Sequence, residues 1–210
     1  MIVELRQYVL HPDMRDVLIE LFDREFVETQ ESVGMQVIGQ FRDLDDPNRF
    51  VWLRGFANMQ ARAAGLAAFY GGPVWAKHRA AANATMVDSD NVLLLRPARP
   101  TSGFQLPADR DLNTAHVVHA SIYYFDAPVG AELVDEFEPR LGANDAVLGL
   151  FVTDPSANNF PALPVREDEN VLVWFGRAPA RELPDELVRQ LRRPPELHTL
   201  EPTTRSRLRS

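Results

Sequence analysis

A dense group of aromatic and ionisable residues lies between positions 70 and 78 of the 210-residue chain. Tyr70 precedes Gly-Gly-Pro, and Trp75 and His78 follow three residues apart. A proline that starts a helix, together with i, i+3 spacing, predicts that Trp75 and His78 share one helix face. We expect Trp75 to bind a small apolar molecule, and Tyr70 and His78 to serve as acid or base near neutral pH. The structural alternative is that Trp75 fills the core with His78 at its rim.

Trp52 and Arg54 form a second candidate pair, since residues two apart in a strand face the same side. A buried arginine can hold a carboxylate or enolate oxygen, so Arg54 would anchor a substrate beside Trp52. The structural alternative for Arg54 is an ion pair at an interface.

Composition excludes several other kinds of chemistry. The 22 basic residues are outnumbered by 30 acidic ones, which argues against nucleic acid and anionic lipid as partners. The chain has no cysteine and therefore no disulfide, zinc–thiolate site or cysteine nucleophile. Glycine-rich phosphate loops are absent and the histidines are dispersed, so we predict no cofactor and no metal. Heme needs only one axial histidine and stays an open alternative.

The expected location is the cytoplasm. The first residues lack a basic segment followed by an apolar one, and no apolar run approaches the roughly 20 residues that span a bilayer. The expected partners are a small-molecule ligand and a second copy of the chain, because two-fold homodimers are the commonest soluble oligomers.

The order of elements predicts an α+β protein that repeats itself. Hydrophobic periodicity gives strands at 2–10, 35–41, 49–56 and 92–95 and helices at 13–32, 58–70 and 73–86. A second series has strands at 115–125, 147–151, 169–176 and 196–200 and helices at 130–138 and 184–193. Each series has the β-α-β-β-α-β order of ferredoxin-like domains.

Matching segments support the repeat. Val37-Ile38-Gly39-Gln40-Phe41 corresponds to Val147-Leu148-Gly149-Leu150-Phe151, and Val51-Trp52-Leu53 to Val173-Trp174-Phe175. The second hairpin carries about 12 extra residues around Asn158-Asn159-Phe160, which suit a surface loop. We therefore predict two ferredoxin-like units, 1–97 and 115–202, with a linker at 98–114 and a flexible tail at 203–210. Two such sheets in one chain can cover each other face to face.

The first unit resembles the NIPSNAP family. The resemblance is carried by Glu4-Leu5-Arg6-Gln7-Tyr8, by the proline-initiated helix and by the block from Trp52 to Trp75, with Arg62 and Trp75 at the family's Arg and Trp positions. It implies a dimeric α/β-barrel made of face-to-face sheets. The chain departs from the family at Arg54-Gly55, where a Trp-Arg pair is common, and Gly55 is expected to open space beneath the second helix.

The resemblance implies a fold more directly than a reaction. Relatives in the superfamily include cofactor-free monooxygenases, isomerases, cyclases and heme-binding enzymes. Together with the Tyr70–His78 group, it suggests a cofactor-independent enzyme of secondary or catabolic metabolism that acts on an apolar oxygenated substrate. A non-catalytic binding or scaffold protein and a heme protein are the alternatives, and whether the chain is an enzyme stays open.

Overall fold

Eight antiparallel strands close into a barrel in the computed structural model, which describes residues 1–108, 110, 116–142 and 146–209. The strands are β1 (Ile2–Leu10), β2 (Gln36–Asp43), β3 (Arg49–Phe56), β4 (Met86–Asp88), β5 (Val92–Pro97), β6 (Val118–Phe125), β7 (Val147–Thr153), β8 (Asn170–Gly176) and β9 (Arg193–Pro202). The order around the barrel is β1-β3-β2-β9-β6-β8-β7-β5, and β5 pairs with β1 to close it. The short β4 pairs with the far end of β1, outside this ring.

Helices cover the outside of the barrel. They are α1 (Arg15–Leu21), α2 (Val27–Ser32), α3 (Met59–Tyr70), α4 (Pro73–Asn83), α5 (Ala131–Leu141) and α6 (Asp185–Val188). A π-helical segment, Phe22–Phe26, joins α1 to α2, so the predicted helix over 13–32 is continuous but not α-helical throughout. The helix ends at Ser32, and the chain turns at Gly34, whose φ of 84° lies in the left-handed region that glycine adopts without strain.

Alternation along the strands divides the core into three clusters. Val3 and Leu5 point into the barrel, where they pack with residues from all the other barrel strands. Tyr8 and Trp52 belong to a second cluster, between the first strands and α1–α4. Trp174 belongs to a third, beneath α5 and α6. The barrel wall is thus buried on both faces, and charged residues on it must find partners.

Residues 203–209, the described part of the predicted flexible tail, pack against the barrel. Ser206 and Leu208 are buried, and the Leu208 amide donates to the Ile38 carbonyl at 2.8 Å. The predicted linker is likewise partly internal, since Phe104 packs 4.7 Å from Phe151, ring centroid to centroid. Both segments contribute side chains to the core inside the barrel, and burial of that apolar surface holds them in place.

Several predicted boundaries differ from the observed ones. In the first half (residues 1–97), the helix predicted over 73–86 ends at Asn83 rather than near Met86, which begins β4. The last helix is a single turn, and β9 begins at Arg193, where the sequence predicted the helix to end. The predicted start of a strand at residue 115 lies outside the described residues.

Within the described residues, none of the helices has the length and apolarity to cross a membrane.

Gly55 does not open space beneath the second helix. It lies between Arg54 and Phe56, whose side chains face the helices, so a side chain at position 55 would point the other way. A Cβ there would lie 3.1 Å from Ile38, a residue of the cluster inside the barrel.

Candidate functional site

The sequence-predicted aromatic group assembles where α3 meets α4. Gly71 and Gly72 separate α3 from α4, and Pro73 occupies the first turn of α4, as the sequence predicted. The rings of Tyr70 and Trp75 lie 4.9 Å apart, centroid to centroid.

Trp75 and His78 share a helix face, as their spacing predicts. Both rings lie beside Phe26 of the π-helical segment, at centroid distances of 5.7 and 6.4 Å. The Nε2 atom of His78 lies 3.5 Å from Oε2 of Glu25. His78 therefore faces the π-helical segment, and it is absent from the described walls of the two cavities that Trp75 lines.

Trp52 and Arg54 lie on the helix-facing side of β3. The Arg54 guanidinium carbon is 5.1 Å from the centre of the Trp52 ring. Arg54 Nε donates to Oε2 of Glu4 at 2.7 Å, and Nη1 lies 3.3 Å from the Gln30 amide oxygen and 3.4 Å from the Tyr70 hydroxyl. Arg54, the predicted anchor, thus contacts the predicted phenol of Tyr70 and also binds the carboxylate of Glu4 on β1.

Glu4 is the centre of a buried charge cluster. Besides Arg54, it accepts from Arg6 Nη1 at 2.9 Å and from Arg62 Nε at 2.7 Å. All four side chains are at most 1% exposed. Three guanidinium groups surround one carboxylate, which leaves an excess of two positive charges. Nη2 of Arg54 and Nη2 of Arg62 are buried without a hydrogen-bond partner among the described residues.

The arginines determine the protonation of Glu4. Burial alone would raise the pKa of this carboxyl, but Arg54, Arg6 and Arg62 outweigh burial and lower it to about 2. Glu4 is therefore ionised at neutral pH. Burial also raises the pKa of Tyr8, whose hydroxyl accepts from Arg6 Nε at 2.9 Å, so this phenol stays protonated. A further anion near the cluster would meet uncompensated positive charge.

Two cavities adjoin this cluster and share Tyr70 and Trp75 in their walls. The outer cavity has a volume of about 320 Å³, and Arg6 forms part of its wall. Its other wall residues are Asn83, Ser89, Asp90, Phe160, Ala162, Leu163 and Pro164. The inner cavity, about 20 Å³, lies among aromatic and aliphatic side chains that include Tyr8, Phe22 and Trp52.

The long connection between β7 and β8 covers this site. Phe160 lies 6.0 Å from Tyr70, centroid to centroid, and Leu163 and Val165 pack against the same first-half cluster. Arg62 Nη1 donates to the side-chain oxygens of Asn158 and Asn159, at 3.0 and 2.7 Å. The sequence predicted only a surface loop here, whereas the loop of the second half forms part of the first-half site.

Among the described residues, the second half has no cluster of a carboxylate and arginines at the strand positions that correspond to Glu4 and Arg54. Arg6 is paired with Trp52 across β1 and β3, and Ser121 is paired with Trp174 across β6 and β8. Two residues earlier on β1 and two later on β3, Glu4 faces Arg54. At the equivalent positions of β6 and β8, His119 faces Gly176.

Glu4, Arg6 and Arg62 were not assigned functional roles from the sequence, although a signal for two of them was present. In β1, Glu4 and Arg6 alternate with Val3 and Leu5, and charged residues within a strand that is buried on both faces require partners. The contact with Arg62 depends on how α3 packs, which strand alternation does not reveal.

Comparisons with known proteins agree with the fold. Residues 3–100 match the sequence model of the NIPSNAP family. No curated protein matches the chain. Among solved structures, a NIPSNAP-like domain protein from Burkholderia xenovorans is 30% identical, with 50% of this chain and 90% of that one covered and a TM-score of 0.45.

Two further solved structures extend over nearly the whole chain. They are proteins provisionally named monooxygenases, from Fusobacterium nucleatum and Lactobacillus acidophilus, with 10% and 13% identity. The alignment with the Fusobacterium protein covers 96% of this chain and 91% of that protein, with a TM-score of 0.58. The alignment with the Lactobacillus protein covers 95% of this chain and 92% of that protein, with a TM-score of 0.54. At this identity the likeness shows the fold alone.

Proposed function

We propose that this chain, whose residues 3–100 belong to the NIPSNAP family, binds a small apolar molecule that carries an anionic oxygen group. The ligand would occupy the outer cavity, with its carboxylate or enolate at Arg6 and its apolar body against Tyr70 and Trp75. The observation that carries this proposal is the buried excess of guanidinium groups at the wall of a cavity of about 320 Å³.

Charge supports the choice of an anion. Arg6 uses Nε for Tyr8 and Nη1 for Glu4, and Nη2 makes no hydrogen bond to any described residue. Arg54 and Arg62 are held close to Arg6, because all three guanidinium groups bind the Glu4 carboxylate. An anionic oxygen at Arg6 would gain a charge-assisted hydrogen bond and would reduce the net positive charge of the cluster.

The size of the outer cavity and the aromatic side of its wall support a ligand with an apolar body. Small-molecule sites typically have volumes of roughly 300 Å³ or more, with mostly apolar walls and a few placed polar groups. The outer cavity reaches that size, and its aromatic and aliphatic residues include Tyr70, Trp75, Phe160 and Leu163. One further charged wall residue, Asp90, would disfavour ligands with a second anionic group nearby.

We further propose that the bound molecule is a substrate and that no cofactor takes part. Of the two predicted acid–base residues, Tyr70 is the one in the cavity wall, and Arg54 Nη1 lies 3.4 Å from its hydroxyl. A phenol beside a guanidinium is placed to exchange a proton with an oxygen of the ligand. His78 stays a prediction, acting through Glu25 and the π-helical segment if it takes part.

The architecture we propose is a tandem one, with ferredoxin-like units at 1–97 and 115–202 whose sheets pack face to face around the barrel interior. The matched pairing of Trp52 and Trp174 within β1–β3 and β6–β8 supports it. On this proposal the first unit holds the ligand, and the second completes the barrel and covers the site.

Calorimetric titration with benzoate and benzamide tests the function. The two probes share a ring and differ in charge, so a site built on arginine should bind benzoate at least about tenfold more tightly, a difference of about 1.4 kcal/mol. Arg6→Met keeps an apolar stem and removes the charge, so it should abolish this preference. Arg79→Met, an exposed arginine on α4, is the matched control and should keep it.

Equal binding of the two probes by the natural protein would refute the proposal. So would an unchanged preference for benzoate in Arg6→Met. Each variant is first compared with the natural protein by thermal unfolding, so that a loss of folded protein is not counted as a loss of binding.

A further inference from the structure

We propose that the second half contributes the specificity-determining wall of the first-half site, through residues 154–169, which we call the covering loop. Nothing in the predicted role of this loop as a surface insertion requires that it touch the site. The choice of ligand class rests on the proposed function, but the covering of the site by this loop is a separate matter that is tested without a ligand.

The covering loop is anchored to the first half at both of its ends. Near its start, the Asp154 amide donates to the Leu94 carbonyl at 2.8 Å. Near its end, the Arg166 amide donates to the Val92 carbonyl at 2.9 Å. These bonds fix the two ends of the loop along β5, which pairs with the strand that carries Glu4 and Arg6.

Internal hydrogen bonds give the loop a shape of its own. The Asn158 side chain donates to the Leu163 carbonyl at 2.8 Å and accepts from the Phe160 amide at 3.1 Å. The Leu163 amide donates to the Phe160 carbonyl at 3.1 Å. The segment that faces the site is therefore preorganised, which reduces the entropy lost when a ligand binds against it.

Arg62 connects the loop to the charge cluster. Its Nε binds Glu4, while its Nη1 donates to Asn158 and Asn159. Asn159 is tied to α3 a second time, because its side-chain nitrogen donates to the Met59 carbonyl at 2.6 Å. The Arg62 guanidinium thus binds both the Glu4 carboxylate of the charge cluster and the covering loop.

The loop's contribution to the cavity wall is uncharged. It supplies Phe160, Ala162, Leu163 and Pro164, and the plane of Phe160 is tilted by 31° from that of Tyr70. The part of the ligand that meets the loop is therefore apolar, and a flat ring can pack against the edge or face of these two aromatic side chains. Together with Arg6, this favours monoanionic aromatic carboxylates, with Phe160 setting the upper limit on ring size.

Acrylamide quenching of tryptophan fluorescence tests the covering role without a ligand. Trp52 and Trp174 are only 2% and 1% exposed, so the quencher reports mainly on Trp75, which is partly buried and shares the cavity wall with the loop. Asn159→Ala should raise the quenching constant about twofold or more, because loss of two tethers favours local opening. Asn170→Ala, at the start of β8, is the matched control and should leave it unchanged.

Ligand selectivity tests the specificity role. Phe160→Ala should improve the affinity for naphthalene-2-carboxylate relative to benzoate by about tenfold, because it removes the ring that limits the cavity. Unchanged quenching in both Asn159→Ala and Phe160→Ala would overturn the inference, as would an unchanged ratio of the two affinities. If the natural protein binds neither carboxylate, the proposed function fails, and the quenching result alone decides whether the loop covers the site.

Discussion

Replacing Glu4 with glutamine tests the physical basis of the charge cluster. The substitution keeps the size of the side chain and its hydrogen-bonding oxygen but removes the carboxylate that Arg6, Arg54 and Arg62 share. Removing one partner of a buried ion pair costs about 3–5 kcal/mol, because the remaining charges stay buried without compensation.

The pKa of Glu4 gives an independent magnitude. It falls from 4.5 to about 2 on folding, and each unit corresponds to 1.36 kcal/mol, so ionised Glu4 contributes about 3 kcal/mol to stability. Because the folded pKa is the lower one, this contribution is present above pH 4.5 and is lost as the pH falls toward 2. The value from the pKa thus lies at the lower end of the range expected for loss of one partner of a buried ion pair.

Urea unfolding of the natural protein and of Glu4→Gln, followed from pH 7 to pH 2.5, is the assay. The free energies of unfolding should differ by about 3 kcal/mol at pH 7, and the difference should shrink steadily below pH 4.5. Glu20→Gln, an exposed acid on α1, is the control and should follow the natural protein. A difference that does not change with pH, or no difference at pH 7, would show that the arginines do not stabilise the Glu4 carboxylate as argued.

Three further outcomes are expected. Burial raises the pKa of Asp23 to about 6, so its carboxylate is unfavourable at neutral pH. Asp23→Asn should raise the melting temperature at pH 7 by a few degrees, and the gain should vanish below pH 4 in a thermal scan. His198→Ala removes the 2.8 Å partner of buried Asp43 and should lower the free energy of unfolding by about 2 kcal/mol in urea, unlike exposed His116→Ala. Light scattering should give twice the 23.7 kDa chain mass if the chain forms the predicted homodimer, and the single-chain mass would contradict that prediction.

Local rules predicted much of the site from sequence. Asparagine is a preferred residue at the start of a helix, and the Asn58 side chain caps α3 by accepting from the Ala61 amide at 2.9 Å. Gly-Gly-Pro turns α3 into α4, and alternation places Trp52 and Arg54 on one face. Each of these depends on the conformational preference of a few adjacent residues, which the sequence carries directly. The motifs of the first strand and of the Trp52–Trp75 block also predicted the NIPSNAP family, which is confirmed over residues 3–100.

Long-range packing accounts for what the sequence did not predict. Asn158 and Asn159 are typical turn residues, and nothing nearby in the sequence indicates that Arg62, almost a hundred positions earlier, donates hydrogen bonds to them. Leu208 lies in a segment that is polar in sequence, and its burial depends on a barrel interior that is formed by distant strands. The π-helical turn that brings Glu25 to His78 likewise leaves no pattern in the 3.6-residue periodicity.

A crystal structure of the protein soaked with 4-bromobenzoate tests the central claim most directly, because anomalous scattering locates the bromine and so the orientation of the ring. We expect the carboxylate within hydrogen-bond distance of Arg6 and the bromine among Tyr70, Trp75 and Phe160. Bromine bound elsewhere, with the outer cavity empty at a concentration that saturates the benzoate titration, would contradict the assignment of this cavity as the ligand site.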